Sequence, residues 1–358
     1  MGLNILKKVP TVNFIGYRKV AFLISGLLIL AGVVSLAIKG GPAYGIDFAG
    51  GINVQLKFNN EVELDKLRDA LESIGLEGLT VQRFGMQGDN EYLMRIAQSD
   101  IETDSLRQGI DSALAKAMPE LGHEIQRVEM VGPKVGADLR QKALEAMFYA
   151  VLLIAIYISG RFEQRWWAAG IMAAALAGGM YVLGLVGIAT GYLTIIALIV
   201  ALALCWYLKL NYALGAVVAL VHDVIITVGI FSILNKEFDL TIVAALLTII
   251  GYSLNDTIIV FDRIRENLRN RISKDFGETI NVSINQTLSR TLLTSGTTLV
   301  VVVALFVLGG GVIHDFALAL LIGVGVGTYS SIFVASPILL AFQPPEEPLP
   351  QGAAPAKA

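Results

Sequence analysis

The sequence predicts a polytopic α-helical membrane protein of about eight spans that carries one small water-exposed domain of ferredoxin-like βαββαβ type. Three observations carry that prediction. Of 358 residues, 55% are hydrophobic and 16% are charged, against about a quarter charged in a soluble globular chain. The apolar residues are gathered into long, nearly charge-free runs, most of which reach or approach the roughly 20 residues that cross a bilayer as a helix. One block alone, residues 40–140, has the mixed polarity of a water-exposed domain.

Residues 1–19 hold Lys7, Lys8, Arg18 and Lys19 and read as a cytoplasmic N-terminal segment. The run 20–38 is longer than a signal-peptide core and no small-x-small cleavage site follows it cleanly, so a retained first span is expected. Block 40–140 then alternates as a strand at 52–58, turns to helical periodicity at 62–74, and gives strands at 79–84 and 91–97. A helix at 104–118 and a strand at 124–131 complete the split-βαβ order. It contains no Ser/His/Asp set, no metal-ligand spacing and no phosphate loop, so it reads as a binding or docking module. The bundle 141–342 supplies further runs at 143–158, 168–188, 193–208, 212–234, 241–261, 292–308 and 316–341. Within it, the charged loop 263–290 is expected to form amphipathic helices at 262–271 and 278–289 lying at the membrane interface. The tail 343–358, rich in Pro, Glu and Ala, is expected to be disordered.

Basic residues near span ends set orientation. By alternation Arg161, Arg165, Lys209, Arg263, Arg265, Arg269, Arg271, Lys274 and Arg290 share the side of the N-terminus, whereas the opposite short loops hold only Lys236. Both termini are therefore expected in the cytoplasm and block 40–140 outside. The net charge of −3 gives no basis for nucleic-acid binding. Cys205, the one cysteine, excludes a disulfide framework and a Cys-based metal site. No cofactor or metal is expected, and without a GxxxxGK[ST] loop the energy must come from a gradient or a partner.

Charged groups inside a membrane are costly and by default suggest function. Asp223 sits near the middle of run 212–234, beside His222. Asp256 lies in the next run, within Gly251-Tyr-Ser-Leu-Asn-Asp-Thr257. At 1.5 Å rise per residue they fall roughly 16 Å and roughly 9 Å from the cytoplasmic ends of their spans, close enough in depth to share water, a cation or a proton. Thr248, Tyr252, Asn255 and Asp256 follow helical spacing as one polar stripe, and Thr291, Thr294, Ser295 and Thr298 form a comparable one. Gain or loss of one charge in low dielectric is large enough to repack a helix pair. Simpler readings stand beside these: Ser/Thr stripes commonly hold helices together, and Asn255 fits an interhelical bond equally well. His222, with no second His or Cys, reads as a hydrogen-bonding neighbour rather than a ligand. Arg263, at the membrane boundary, reads as a snorkelling cation. Gly323 and Gly327 fit the GxxxG spacing of close helix packing.

At these residues the chain resembles the SecF side of the SecD/SecF family, in the resistance-nodulation-division superfamily. The matching motifs are Gly45-Ile-Asp-Phe-Ala-Gly-Gly51, Val131-Gly-Pro-Lys-Val-Gly136, Ala219-Leu-Val-His-Asp-Val-Ile225, Gly251–Thr257 running into Val260-Phe-Asp-Arg-Ile-Arg-Glu-Asn267, Asn285-Gln-Thr-Leu-Ser-Arg-Thr-Leu-Leu-Thr-Ser-Gly296, and residues 323–337. The resemblance implies a non-enzymatic subunit of the bacterial inner membrane that works with SecD. It implies use of the proton gradient to help unfolded exported proteins through SecYEG, with YidC, YajC and membrane lipid as further candidate partners. By resemblance Asp223 belongs to the proton pathway, with Asp256 and Asn255 nearby and His222, Tyr252, Thr294 and Arg263 in support. The loop of Gly45, Asp47, Gly50 and Gly51 would shape the joint between span and sheet, because glycine permits backbone conformations closed to other residues. One departure is plain: members of the usual kind have six spans, and the extra pair within 166–210 follows Arg161-Phe-Glu163 directly. A second reading is a proton-driven small-molecule or lipid exporter of the same superfamily. A third is a purely structural assembly factor. An intramembrane aspartyl protease would need a Gly-x-Gly-Asp pattern that 251–257 lacks.

Overall fold

A computed structural model describes residues 10–76, 78–84, 88–97, 102–185 and 190–342, with side chains described outside 180–194. The expected disordered tail 343–358 lies outside those limits. A short 3₁₀ turn, Ile15–Tyr17, leads into α1 (Arg18–Lys39). A four-residue helix α2 (Ile46–Ala49) opens the sheet domain: β1 (Gly51–Phe58), α3 (Leu64–Glu72), β2 (Thr80–Phe84), β3 (Glu91–Ile96), α4 (Thr103–Ala117) and β4 (His123–Val131). Each of these strands and the two longer helices falls within two residues of its expected bounds. The sheet is antiparallel with order β2-β3-β1-β4. The inward positions of β1, at Ile52, Val54, Leu56 and Phe58, pack on Leu67 and Leu71 of α3 and on Leu106, Ile110 and Leu114 of α4. Burying each such side chain stabilises the domain by about 1.5–3 kcal/mol.

The bundle follows as α5 (Pro133–Ile158), α6 (Trp166–Leu185), α7 (Thr190–Tyr207), α8 (Asn211–Ile233), α9 (Leu240–Arg269), α10 (Phe276–Leu308), α11 (Gly311–Ser330) and α12 (Ser336–Ala341). Six helical stretches among the described residues are long and apolar enough to cross a membrane: 15–39, 133–163, 211–233, 240–269, 276–308 and 311–341. The described apolar parts of α6 and α7, Trp166–Gly179 and Ile195–Tyr207, are shorter. Two differences from the sequence reading concern continuity. α5 begins ten residues before the apolar run, with Pro133 in its first turn, where a missing N–H costs nothing. The charged loop 263–290 is not a separate interfacial layer: α9 runs unbroken to Arg269 and α10 starts at Phe276, with Asp275 capping it through the Glu278 N–H at 3.0 Å.

Two π-helical turns interrupt the bundle, Ser159–Glu163 after α5 and Ser331–Ala335 between α11 and α12. The second precedes Pro337, whose ring and missing N–H break the helical ladder. The Ser336 hydroxyl compensates by donating to the Ser331 carbonyl at 2.9 Å. The first contains Arg161, Phe162 and Glu163, which tie together the ends of α8 and α9 farthest from the sheet. Glu163 accepts the Tyr212 N–H at 2.9 Å, Arg161 pairs with Asp262 at 2.7 Å, and Phe162 stacks on Tyr212 with centroids 5.3 Å apart. Glu163 thus caps α8 from 49 residues away, across the whole α6–α7 hairpin, and Arg165 closes the base of that hairpin by donating to the Leu208 carbonyl at 3.0 Å.

Candidate functional site

Close helix approach builds the site before any polar group does. A Cβ on Gly229 of α8 would meet the Gly32 backbone of α1 at 2.7 Å, and one on Gly327 of α11 would meet Ser253 of α9 at 2.9 Å. The GxxxG pair, Gly323 and Gly327, therefore seats α11 against Ile249 and Ser253 of α9. Small residues let backbones come this near, and a short hydroxyl on either helix then reaches whatever lies between.

What lies between is Asp223, 1% exposed. One carboxylate oxygen accepts from Ser253 at 2.5 Å and from Ser330 at 2.8 Å; the other meets His222 Nδ1 at 2.9 Å. His222 carries the connection on: its Nε2 is 2.9 Å from Ser25 of α1, Ser25 is 3.1 Å from the Tyr329 hydroxyl, and Tyr329 donates to the Ala21 carbonyl at 2.7 Å. A continuous hydrogen-bonded chain thus joins α1, α8, α9 and α11. When the Asp223–His222 pair holds its proton, Nε2–H donates to Ser25, Ser25 to Tyr329 and Tyr329 to Ala21, and every link is made. Without it, Ser25 must donate to Nε2 instead, and Tyr329 has one proton for two acceptors. The chain is polarised by the proton count.

Asp256, also 1% exposed, is placed differently. Its Oδ2 accepts from Ser295 of α10 at 3.1 Å, and Thr328 of α11 donates to that same serine at 2.7 Å. Its Oδ1 is buried and has no hydrogen-bond partner among the described residues. Thr294 and Thr328 stand beside the carboxylate, and the field of Arg290 on α10 reaches it. Ser253 and Asp256 lie three residues apart on α9, so one helix face serves both acids.

The other expected residues separate. Asn255 is exposed, one step round the helix from Asp256, with Thr248 exposed on the same side. Tyr252 donates to Thr298 at 3.2 Å, and the Thr294 hydroxyl is turned back to the carbonyls of Arg290 and Thr291. Arg263 pairs with Glu266 at 3.0 Å, within its own helix. Six residues of the site escaped the sequence reading: Ser25, Ser253, Arg290, Thr328, Tyr329 and Ser330. Arg290 and Ser253 had an available signal, since Thr294 and Thr298 follow Arg290 at helical spacing and Ser253 precedes Asp256 by three residues.

The glycine-rich loop forms a joint with the bundle. Gly50 and Gly51 have φ of 77° and 120°, conformations that glycine alone adopts freely. Gly45 donates to the Phe238 carbonyl at 2.7 Å, Phe238 returns a bond to Ala43 at 2.7 Å, and Asp47 accepts the Leu240 N–H at 3.0 Å. Arg95 of β3 reaches down to Glu237 at 2.9 Å and to the Tyr44 carbonyl at 2.8 Å. The turn between the two acid-bearing helices is thereby held by the sheet domain. Asp239, which caps α9 there through the Ile242 N–H at 2.8 Å, has its carboxyl pushed above the usual aspartate range by burial, with Asp47 adding to it. A cleft of about 360 Å³ opens at this joint, between the sheet face at Asn53 and Gln55 and the bundle at Lys236 and Asp315.

A helical bundle with two buried acids, helices of membrane length and one small domain clasped to the turn between them defines an integral membrane protein of the transport class. Comparison with known proteins narrows this. Residues 112–202 and 188–344 match the family of protein export membrane protein SecD/SecF, C-terminal, and residues 34–62 match the SecD/SecF GG motif. The protein translocase subunit SecF of Magnetococcus marinus is 43% identical over 96% of this chain and 95% of its own. That of Vibrio alginolyticus is 41% identical over 94% and 91%. The crystal structure of SecDF, a translocon-associated membrane protein from Thermus thermophilus, superposes with a TM-score of 0.72 at 33% identity, covering 95% of this chain. A super-membrane-facing form of SecDF gives 0.53 at 31% identity, covering 93%. The chain spans 39% of the length of each of those two solved chains. The chain belongs to the SecF family of protein translocase subunits, membrane components of protein export.

Proposed function

We propose that this subunit converts the proton-motive force into movement of its outer domain, assisting exported, unfolded chains through SecYEG across the bacterial inner membrane in company with SecD. The observation that carries the proposal is the shared turn: Asp223 and Asp256 sit on α8 and α9, and the turn joining those helices is the one the sheet domain grips through Gly45, Asp47 and Arg95. The two acids take different parts. Asp256, with one buried oxygen unpartnered, exchanges the proton. Asp223, held by His222, Ser253 and Ser330, is the pivot that passes the change to α1 and α11.

SecD would seat on the side of α9 where Asn255 and Thr248 are exposed, since polar groups on a membrane helix call for a partner. The work is mechanical and the subunit has no enzymatic step. The sheet domain is of ferredoxin-like type, supported by its element order and by the order β2-β3-β1-β4. The α6–α7 pair adds two spans to the usual six, giving eight. Supporting this, the two stretches matching the family overlap at 188–202, within and beside α7. Both termini lie in the cytoplasm, on the side of the basic loops. YidC and YajC stay as further candidate partners.

Proton flux tests the site itself. In vesicles carrying the subunit with its SecD partner, an entrapped pH-sensitive dye should report dissipation that Asp256→Asn and Asp223→Asn both abolish. Undiminished flux in Asp256→Asn would remove the acid cluster from the pathway.

A further inference from the structure

All three tryptophans of the chain, Trp166, Trp167 and Trp206, stand on the α6–α7 hairpin, at the end where α6 starts and α7 finishes. They are 62%, 63% and 63% exposed, and neighbouring Tyr207 is 79% exposed. The inner side of the hairpin is already filled: Ala168, Met172, Ala201 and Cys205 pack into the bundle core. Trp166 lays part of its ring against Gly160, yet all three rings keep most of their surface open to whatever surrounds the chain.

Cations accompany them. Arg165 precedes Trp166, Lys209 follows Tyr207 by two residues, and both are exposed. Arg165 spends one N–H on the Leu208 carbonyl and has others to offer, a guanidinium having five. Lys209 has no acidic partner within ion-pair distance among the described residues. Glu163, the acid near Arg165, is engaged at the N-terminus of α8. Amphipathic rings at the end of apolar helices, with cations directly beyond them, fit the boundary between acyl chains and headgroups. Free cations at that depth are attracted to negative phospholipid, each contributing about a fivefold enrichment near the surface.

We propose that the α6–α7 hairpin is an anchor that binds anionic phospholipid headgroups at the basic end of the bundle. Its base is also where Glu163 and Arg161 fix the ends of α8 and α9. The anchor consequently sets the depth of the acid-bearing helices in the bilayer. This holds whether or not the acids carry protons.

Because every tryptophan is on the hairpin, the native chain carries its own probe. The full-length protein is reconstituted into phosphatidylcholine vesicles containing dibromo-acyl phosphatidylglycerol or, at the same mole fraction, dibromo-acyl phosphatidylcholine, and tryptophan quenching is measured. The anionic lipid should quench at least about twofold more strongly. That excess should disappear at high salt, which screens it, and should be reduced in Lys209→Gln alone, which leaves Arg165 to close the hairpin and to hold the remaining part. Equal quenching by the two lipids would overturn the selection for anionic headgroups. Absence of quenching by either would show the rings covered by protein and overturn the anchor altogether.

Discussion

Replacing Arg95 by Gln should free the sheet domain from the bundle while leaving both folded. The Arg95 guanidinium makes two bonds across the joint, to Glu237 at 2.9 Å and to the Tyr44 carbonyl at 2.8 Å. Its side chain is 22% exposed and that of Glu237 33%. Fully exposed ion pairs contribute under about 1 kcal/mol, and buried bonds to a charged group about 1.5–3 kcal/mol. At this partial burial the two bonds together are worth about 1–3 kcal/mol, or 5- to 150-fold in the balance between clasped and released joints. A proton crossing 100 mV supplies about 2.3 kcal/mol. The clasp and the driving force are thus of one size, and a joint without Arg95 should slip rather than follow the helices. Spin labels on α4 and on the turn between α10 and α11, read as a distance distribution with and without a proton gradient, make the test. The wild type should give a narrow distribution that moves with the gradient; Arg95→Gln should give a broad one that does not, at unchanged helix content. A narrow, gradient-responsive distribution in Arg95→Gln would refute the reasoning.

Other outcomes follow from single contacts. Gly229→Ala forces α1 and α8 apart at a 2.7 Å approach and should cost about 1–3 kcal/mol of overpacking, seen as a lowered Tm in detergent; Gly26→Ala, with nothing within 4 Å, should leave Tm unchanged. Glu163→Ala removes the acceptor of the Tyr212 N–H and should cost about 0.5–2 kcal/mol of helix capping, visible as faster amide exchange at Tyr212. Asp239 binds its proton more tightly in the folded protein than in the unfolded chain, because it is buried beside Asp47. Its contribution therefore favours folding at acid pH and is lost as pH rises through its raised folded value. Asp239→Asn keeps a good capping side chain and should flatten that part of the Tm–pH curve, raising Tm relative to wild type above that value.

The parts of the fold that could be read in advance are those with a period. Alternation at 52–58 locates β1, and charge-free runs locate the helices. What had no period stayed hidden. The chain from His222 to Tyr329 passes through Ser25, 197 residues away from His222 and 304 from Tyr329, and a lone serine or tyrosine in an apolar run carries no sign of its partner. Asn255 and Asp256 both fit one helical stripe in sequence, yet the 100° step between neighbours leaves Asn255 exposed and Asp256 only 1% exposed. The charged stretch 263–290 looked like a surface layer because its charges are dense; the backbone nonetheless continues α9 and α10 through most of it, with Asn267 buried and bonded to Ser283 at 2.8 Å. The glycine-rich loop was expected as a joint between span and sheet. That the turn at Phe238 also enters it depends on a pairing between distant segments, which no local pattern announces.

The central claim, that a proton exchanged at the buried acids moves the sheet domain, is tested most directly by export itself. Vesicles containing the translocon, the SecD partner and either wild-type subunit or Asp256→Asn would be compared for export of one unfolded substrate, with and without an imposed proton gradient. The account predicts that the gradient stimulates export with the wild type and has no effect with Asp256→Asn, at equal membrane levels and equal partner binding. Full stimulation in Asp256→Asn would contradict it and leave the subunit a docking element whose buried acids serve only to hold helices together.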